Sequence, residues 1–396
     1  MEGILDYIDS HCENGIHCYK TKKLSLDDFN TDTIISENSD QDTIPQDTSG
    51  KFAESDLSRV NTIRIPDKLI KETSPFFYYF LDGSRHTYKV DDIAIGSHIY
   101  PIIAGQIVVG CCERKNRDKF HNICLNTQII ISLPKSFHTK KGKEEDFLRL
   151  YCEQLNSYIK NNRYIKSHNI SISKILLYPI DGPTVGDAND KNRYKNSGIA
   201  RIQNEMTDTE QRLVHEMCKK NLISSQKWLI KDGSIQYNPS YSNMERSQWN
   251  TMRANYQYVV GVSKSFDPDL LKNFEHKKMS QIIANLKPFE RTKAYKYESA
   301  QSPGIWFAIW YLRLRNSEFR DTRFSDVVKC EMIMSNPSNP IKTQLIDALS
   351  ANLIREAYPV CFGNDNRWAN HLYPVYLTET FCKAQYIDKK VFLGIF

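Results

Sequence analysis

One stretch limits what this chain can fold into more than any other: Phe77 to Val90, which reads Phe-Tyr-Tyr-Phe-Leu-Asp-Gly-Ser-Arg-His-Thr-Tyr-Lys-Val. Aromatic residues suit the half-buried surface of a sheet, and Asp-Gly is a strong turn signal. The pattern therefore predicts a buried strand that stops at Asp82-Gly83-Ser84 and then resumes as a second strand. A carboxylate at the end of a buried strand is costly unless it is paired or binds a metal ion. Asp82 is either a turn former or the first ligand of a metal site.

The same pattern returns later, where the apolar stretch Trp228 to Lys231 is followed by Asp232-Gly233-Ser234. Before it, residues 198–221 have helical spacing, and Glu210 lies among the apolar residues of one helix face. That face is formed by Ile202, Met206, Leu213 and Met217. Buried glutamate is rare unless it is paired. Glu210 is therefore either an edge residue that reaches solvent or a carboxylate delivered inward to a site.

The order of the predicted elements indicates an α/β fold. Strands follow one another with short connections up to residue 133, which favours an antiparallel meander, and helices and strands then alternate. Ribonuclease-H-like domains are built in this order. We therefore expect a ribonuclease-H-like mixed sheet flanked by helices, with additional antiparallel strands and helical insertions. The predicted strands cover 77–81, 93–95, 99–109, 123–133, 175–180, 228–231, 256–262, 306–314 and 327–334, and the predicted helices cover 61–74, 143–166, 198–221, 268–286, 343–357 and 375–386.

Composition sets residues 1–60 apart from the rest of the 396-residue chain. The stretch from Asp27 to Ser58 is rich in Asp, Ser, Thr and Asn, which predicts an acidic, polar arm. Residues 61–396 are expected to form the main domain, with a core at about 75–290 and C-terminal strands and helices at 291–396 that complete the site. The net charge of +6 permits nucleic-acid binding without requiring it. The sequence has no signal-peptide pattern and no apolar run near about 18 residues, which predicts a soluble cytoplasmic protein with free thiols and no membrane partner.

Three acids can together hold divalent cations: Asp82, Glu210 and Asp232. Hard cations such as Mg²⁺ and Mn²⁺ prefer carboxylate oxygens, and two such ions about 3.5–4 Å apart can clamp both oxygens of a phosphoryl displacement. Residues 287–297 alternate cations, including Arg291 and Lys293, with aromatic rings. This alternation suits single-stranded nucleic acid, and it also suits a solvated connector.

The chain resembles the NurA nucleases, the partners of the HerA hexameric DNA translocase, over roughly residues 75–388. The residues that carry the resemblance are Leu81-Asp82-Gly83-Ser84-Arg85, Glu210 on the helix before Leu229-Ile230-Lys231-Asp232-Gly233-Ser234, Val259-Val260-Gly261-Val262-Ser263-Lys264, Tyr358-Pro359 and Ala369-Asn370-His371. In the last motif, Asn370 intrudes between the Ala and the His of the family pattern.

The resemblance implies a ribonuclease-H-like fold, a homodimer, Mn²⁺- or Mg²⁺-dependent cleavage of DNA, and docking onto a HerA-type ATPase. It implies that Asp82, Glu210 and Asp232 are the catalytic metal ligands and that His371 is a further ligand or assists proton transfer. Lys264 is expected to orient the phosphate by charge. The other expected substrate contacts are Arg85, Arg291 and Lys293.

Two other acids compete for places in this set. Asp181, in Asp181-Gly182, competes with Asp232, but it would leave Glu210 on the wrong side of the order. Glu113 competes with Glu210, but it lies at a strand end and not on a helix. Three functions remain open at this point. They are a nuclease acting in DNA-end processing or in defence against invading DNA, a non-catalytic DNA-binding or scaffold subunit of an ATPase complex, and an Argonaute-like guide-dependent nuclease, for which the chain is short.

Overall fold

The computed structural model describes residues 3–12, 16–26, 52–56, 61–116, 119–138, 143–181, 192–236, 246–268, 279–298, 305–315, 322–359 and 370–396. Three of the expected features fall wholly or partly outside these ranges: most of the acidic arm, Ala369, and the first half of the helix expected at 268–286. The division into an arm and a main domain stays a prediction.

The described strands form one large mixed sheet in the order β3-β10-β12-β13-β9-β8-β4-β5-β6-β7, with β1 and β2 pairing β4 and β11 pairing β12. The strands are β1 (Ile16–Tyr19), β2 (Leu24–Ser25), β3 (Thr62–Arg64), β4 (Phe77–Ile95), β5 (His98–Asn116), β6 (Lys119–Pro134), β7 (Lys174–Tyr178), β8 (Trp228–Asp232), β9 (Val259–Ser263), β10 (Glu290–Thr292), β11 (Tyr295–Glu298), β12 (Trp306–Arg313) and β13 (Val327–Ile333).

Helices flank the sheet on both faces. They are α1 (Ile4–Ser10), α2 (Asp67–Glu72), α3 (Glu144–Ile159), α4 (Arg163–Ser167), α5 (Arg193–Lys219), α6 (Arg246–Asn255), α7 (Met279–Ala284), α8 (Thr343–Glu356), α9 (Tyr373–Lys383) and α10 (Lys389–Gly394), with a short 3₁₀ turn at Lys135–Phe137. The sequence therefore predicts the α/β class correctly, as a mixed sheet between helices. No helix in the described ranges is long and apolar enough to cross a membrane.

The first three long strands form the expected antiparallel meander, but the first Asp-Gly is not a turn. Strand β4 runs without a break through Asp82-Gly83-Ser84, and all three residues pair with β5. The hairpin turns at Gly96-Ser97 instead, where Gly96 has φ 61°, a conformation that favours glycine. The prediction of a strand stop at Asp82 is therefore wrong, because twelve residues of β4 after Asp82 also pair with the backbone of β5.

Strands β8 and β9 are parallel to β4 and to each other, and β4 is the neighbour of β8. Parallel neighbours bring equivalent positions side by side. Leu81 of β4 pairs with Lys231 of β8, and Asp232 pairs with Val262 of β9. Asp82 and Asp232, the next residues of β4 and β8, therefore lie side by side at the same level of the sheet.

The two faces of this central sheet bury different helices. The face that we call the α5 face carries Leu81 and Leu229 beneath α5, whose apolar residues Ile202 and Met206 are buried as predicted. The opposite face, the α9 face, carries Phe80 and Ile230 with Val375 of α9. Successive strand residues point to opposite faces, so neighbouring residues at a strand end supply different sites.

Residues 3–12 and 16–26 pack on the sheet as well. Ile4, Leu5 and Ile8 of α1 are buried, and β1 pairs with β4 from Ile16 to Tyr19. The short stretch 52–56 lies between β11 and the start of α8, through Phe52 opposite Tyr295 and Glu54 opposite Ile341.

Candidate functional site

Two aspartates lie side by side on neighbouring parallel strands, one within its strand and one at the end of its strand. Asp82 in β4 is 5% exposed, and Asp232 is the last residue of β8. Beyond Asp232 the chain turns at Gly233, whose φ of 85° favours glycine, and the Gly233 N–H donates to the Val262 carbonyl at 2.9 Å. Here the Asp-Gly motif does end a strand, as its sequence predicts.

A third carboxylate, Glu379, comes from α9. One carboxylate oxygen each of Asp82, Asp232 and Glu379 lies within 4.8 Å of the other two. We call these three residues the carboxylate cluster. Among the described residues, no other group of three acids, histidines or cysteines meets the same criterion. Glu379 was not predicted from the sequence.

Helix α9 is held along β4 by contacts to the strand backbone. The Thr378 hydroxyl donates to the Phe80 carbonyl at 3.3 Å, and the Cys382 thiol lies 3.8 Å from the Asp82 carbonyl. Gly110 on β5 makes room for that thiol, since a Cβ there would stand 2.6 Å from Cys382 Sγ. Helix α9 therefore lies along β4, and this position brings Glu379 beside Asp82.

One buried cation, Lys264, faces the cluster from the end of β9. Its Nζ lies 2.9 Å from Asp232 Oδ2 and 3.6 Å from Glu379 Oε2, and its side chain is 5% exposed. Lys383 also pairs with Glu379, at 2.8 Å, but its side chain is 54% exposed and water screens its charge. With all groups ionised, three carboxylates face one buried lysine, and the buried site carries a surplus of about two negative charges.

The titration of these groups reflects that surplus. Burial, then the negative charge of Asp232, raises the pKa of Asp82 well above its usual range, although Lys264 opposes the shift. Burial also raises the pKa of Glu379, but Lys264, Lys383 and His371 outweigh it, and the net shift is downward. Burial lowers the pKa of Lys264, and Asp232, Glu379 and Asp82 raise it further than burial lowers it. Asp82 therefore holds a proton more readily than Glu379 does.

The donor set of the cluster fits a hard divalent cation. Its atoms are carboxylate oxygens, which Mg²⁺ and Mn²⁺ prefer over softer ligands, and none of them is a thiolate. A charge of +2 also cancels the surplus of the buried groups and relieves the repulsion that raises the pKa of Asp82.

Glu210 is buried, which excludes the alternative of an edge residue that reaches solvent, but it lies on the α5 face and not with the cluster on the α9 face. Its Oε2 is 3.0 Å from Lys231 Nζ, and Lys231 also donates to the Asp232 carbonyl at 2.9 Å. Burial raises the pKa of Glu210, while Lys231 lowers it and Asp232 raises it further. Gly83 lets Glu210 approach the strand, since a Cβ there would stand 2.6 Å from Glu210 Oε1. Glu210 therefore packs against Gly83, the residue after Asp82, and forms its ion pair with Lys231 and not with Lys264.

His371 stands just before α9 and is 3% exposed. Its ring meets Tyr376 edge-on at 5.7 Å, and its charge contributes to the lowered pKa of Glu379. The residue before it, Asn370, joins the end of β9 to the start of β13. Its amide nitrogen donates to the carbonyls of Lys264 and Val327 at 3.1 and 2.9 Å, and its oxygen accepts from the Asp326 N–H at 2.7 Å. The intruding Asn thus has a structural role.

The structure does not bring the three expected arginine and lysine contacts to the cluster. Arg85 points to the α5 face, where Nε donates to the Gln203 side chain. Arg291 is fully buried between Glu54, at 2.9 Å, and Asp347, at 2.7 Å. Lys293 is 1% exposed with its Nζ over the Phe52 ring at 4.4 Å. For Arg291 and Lys293, burial inside the fold corrects the expectation of an exposed DNA contact.

The two competing acids also lie elsewhere. Glu113 pairs with Lys115 and lies 4.0 Å from Lys227, opposite Tyr79 in the sheet. Asp181 acts on the pKa of Tyr100, near the far end of the β4–β5 hairpin. Neither residue belongs to the carboxylate cluster.

A further acid that the sequence did not single out, Glu331 of β13, supports the strand end at Asp232. It is fully buried, and its oxygens accept from the Ser234 hydroxyl at 2.8 Å, the Ile235 N–H at 3.1 Å and the Gln236 amide at 2.9 Å. Glu331 lies opposite Gly261, where a Cβ would stand 2.9 Å from the Gly233 carbonyl. The missing side chain of Gly261 lets the segment after Asp232 cross β9 and reach Glu331.

Comparison with known proteins adds a loose likeness in shape. No family profile matches the sequence, and no curated protein matches it either. Among solved structures, the chain is similar to the crystal structure of the NurA nuclease from Sulfolobus solfataricus, with a TM-score of 0.38 and 9% sequence identity, over 80% of this chain and 83% of that one. Such an overlap is too loose to assign a function, which has to come from the site itself.

Proposed function

We propose that this protein is a metal-dependent nuclease that hydrolyses the phosphodiester bonds of DNA. One observation carries the proposal: Asp82, Asp232 and Glu379 bring ligand oxygens within 4.8 Å of one another beside the buried Lys264. A divalent cation held there supplies Lewis-acid activation of water and of a phosphoryl oxygen.

The residues of the site have separable roles in this proposal. Asp82, Asp232 and Glu379 hold the cation, and Lys264 keeps Asp232 and Glu379 in position through its two contacts. Asp82, whose pKa is raised, is suited to release a proton when the cluster binds its cation and to take one up when the cation leaves. Glu210 helps to position Asp232 indirectly, because it pairs with Lys231, which donates to the Asp232 carbonyl. His371 favours the ionised form of Glu379, since it lowers the pKa of that residue.

The topology supports a ribonuclease-H-like assignment. The central strands follow the order β9-β8-β4-β5-β6, with β5 antiparallel to its neighbours and β8 and β9 parallel to β4. With the sequence motifs from Leu81 to His371, this supports a NurA-type nuclease that uses Mn²⁺ or Mg²⁺ as a homodimer. On the same motifs we extend the proposal to a HerA-type ATPase as partner, in DNA-end processing or in defence against invading DNA.

Cleavage assays test the proposal. Linear single- and double-stranded DNA is incubated with the protein in Mn²⁺, in Mg²⁺ and in EDTA, with and without a HerA-type ATPase. The wild type is compared with Asp232→Asn and with the matched control Asp146→Asn, which removes the same charge from an exposed position on α3. We expect cleavage in Mn²⁺ or Mg²⁺, none in EDTA, and loss only in Asp232→Asn.

Two outcomes overturn the proposal. Cleavage that Asp232→Asn retains removes the carboxylate cluster from the reaction. DNA binding without cleavage in every metal, with the ATPase present, replaces the nuclease by a non-catalytic DNA-binding or scaffold subunit.

A further inference from the structure

A large groove opens beside the first turn of α9, away from the carboxylate cluster. Its volume is about 1100 Å³, at the upper limit of sites for single small molecules, which suits a segment of a polymer. Its walls come from α2, the start of β4, the β5–β6 ends, α8 and the first turn of α9.

Aromatic rings line this groove. They are Tyr78, Phe120, Phe289, Tyr358 and Tyr373. The guanidinium of Arg114 lies 4.9 Å from the centre of the Phe120 ring, which fixes one side of that ring and leaves it half-buried. Rings held in this way are platforms on which a planar base can stack, whatever the base.

The charge of the groove is positive once its ion pairs are counted. Both lining carboxylates are paired: Asp67 with Arg64 at 3.2 Å, and Glu356 with Arg114. The remaining lining cations are Lys115, paired with Glu113, and Lys71 and Arg355. Lys71 and Arg355 therefore give the groove a surplus of about two positive charges, which complements the phosphates of a nucleic acid.

The groove and the carboxylate cluster share two structural elements. On β4, Tyr78 lines the groove and Asp82 belongs to the cluster, about 13 Å further along the strand. On α9, Pro374 lines the groove and Glu379 belongs to the cluster, about 8 Å further along the helix axis. A strand bound in the groove thus lies a few nucleotides at most from the reacting centre.

We propose that this groove binds a segment of single-stranded DNA, with bases on the aromatic rings and phosphates at Lys71 and Arg355. The inference rests on the proposed nuclease function for its choice of DNA. Of the basic and aromatic stretch expected to bind DNA, 287–297, the groove lining includes Phe289 alone, and most of the rest of that stretch is buried.

The binding of a fluorescent oligothymidylate tests the groove by anisotropy, in EDTA so that no cleavage occurs. The first comparison is between Lys71→Glu and Lys68→Glu. Both reverse one charge on α2, but Lys68 does not line the groove and its side chain is 82% exposed. We expect Lys71→Glu to weaken binding about tenfold and to make the salt dependence shallower by about 0.7 in log–log slope, the value for one phosphate contact. Lys68→Glu should do neither.

The second comparison, Phe120→Leu with Phe52→Leu, tests stacking. Both rings are half-buried with a cation over them, and Phe52 lies outside the groove. We expect about fivefold weaker binding for Phe120→Leu only.

Equal affinities within both pairs of variants overturn the inference. Tighter binding of an unphosphorylated aromatic peptide than of DNA reassigns the groove to a protein partner. Failure of the nuclease proposal has a different signature, because it appears as absent cleavage in Mn²⁺ while the two pairs of variants still differ in binding.

Discussion

Lys231 and Asp232 are consecutive residues on opposite faces of the sheet, and the charges around them are balanced on one face and unbalanced on the other. On the α5 face, Lys231 meets Glu210 at 3.0 Å, one buried lysine for one buried carboxylate. On the α9 face, Asp232 meets Asp82, Glu379 and Lys264, three carboxylates for one buried lysine. The first arrangement is complete without any ligand. The second is left with like charges in contact, a cost that a fold keeps where function requires it.

Removing a carboxylate of the cluster is the strongest test of that contrast. We expect Asp82→Asn to lower cleavage at least about 100-fold, since it deletes a ligand of the activating cation. The same change should raise the melting temperature in EDTA, because it relieves the repulsion behind the raised pKa of Asp82. DNA cleavage assays check the first effect, and thermal unfolding with and without Mn²⁺ checks the second. A wild-type melting temperature that does not change with Mn²⁺ would contradict the cluster as a metal site.

The two buried lysines should respond differently to a cation. Lys231→Met leaves Glu210 without its ion-pair partner and should cost about 3–5 kcal/mol of unfolding free energy, most of which Glu210→Leu in the same chain restores. Lys264→Met should also destabilise the protein, but Mn²⁺ should restore its stability, because the cation replaces the lost charge. Urea unfolding of both variants with and without Mn²⁺ measures this. If Mn²⁺ restored the stability of both variants equally, the proposal that only the α9 face binds a cation would be contradicted.

Glu331 connects the two faces, since it supports from the α5 face the segment that follows Asp232. We expect Glu331→Ala to weaken Mn²⁺ binding about 10–100-fold, the range for residues that hold a metal ligand in place. Isothermal titration with Mn²⁺ reads this directly, and Glu216→Ala, at an exposed position of α5, is the control. Unchanged affinity in Glu331→Ala would mean that Asp232 keeps its place without Glu331.

The contribution of Glu331 to stability should depend on pH, and we expect this effect to be smaller than those above. Burial raises the pKa of Glu331, but Lys329 and the donors Ser234 and Ile235 outweigh it, so the pKa is lowered in the folded protein. Its stabilising contribution is therefore complete above the ordinary glutamate pKa and disappears as the pH falls through the folded value. Glu331→Gln should cost about 1–3 kcal/mol at pH 7 and less at pH 4. Urea unfolding at the two pH values checks this, and a constant difference would contradict the lowered pKa.

The same motif shows how far local sequence determines structure. Asp-Gly-Ser predicts a turn at both of its occurrences, and it ends a strand only at Asp232. At Asp82 the aligned backbone of β5 continues past the motif, and pairing with a neighbour overrides the local turn preference. Helical spacing places Glu210 among the apolar residues of α5 and leaves open whether it reaches solvent, and the face of the sheet that it reaches depends on where α5 crosses.

Glu379 marks the limit of that reasoning. It comes one turn after Val375 and one residue after Thr378, both buried, so its spacing predicts the edge of an apolar helix face. Nothing local in Tyr373–Lys383 indicates that this helix lies along β4, almost three hundred residues earlier in the chain. The contacts that decide it, from Thr378 and Cys382 to the backbone of β4, are visible only in three dimensions.

The position of Glu379 in the chain has a consequence for when the site comes into existence. During synthesis, Asp82 and Asp232 are made first, and 147 residues separate Asp232 from Glu379. At usual rates of elongation the ribosome needs about 7–30 s to cover that distance. Throughout that interval the growing chain has two of the three carboxylates and lacks the helix that aligns the third. A protein that cuts DNA would thus be harmless while unfinished and become competent only after α9 docks on β4.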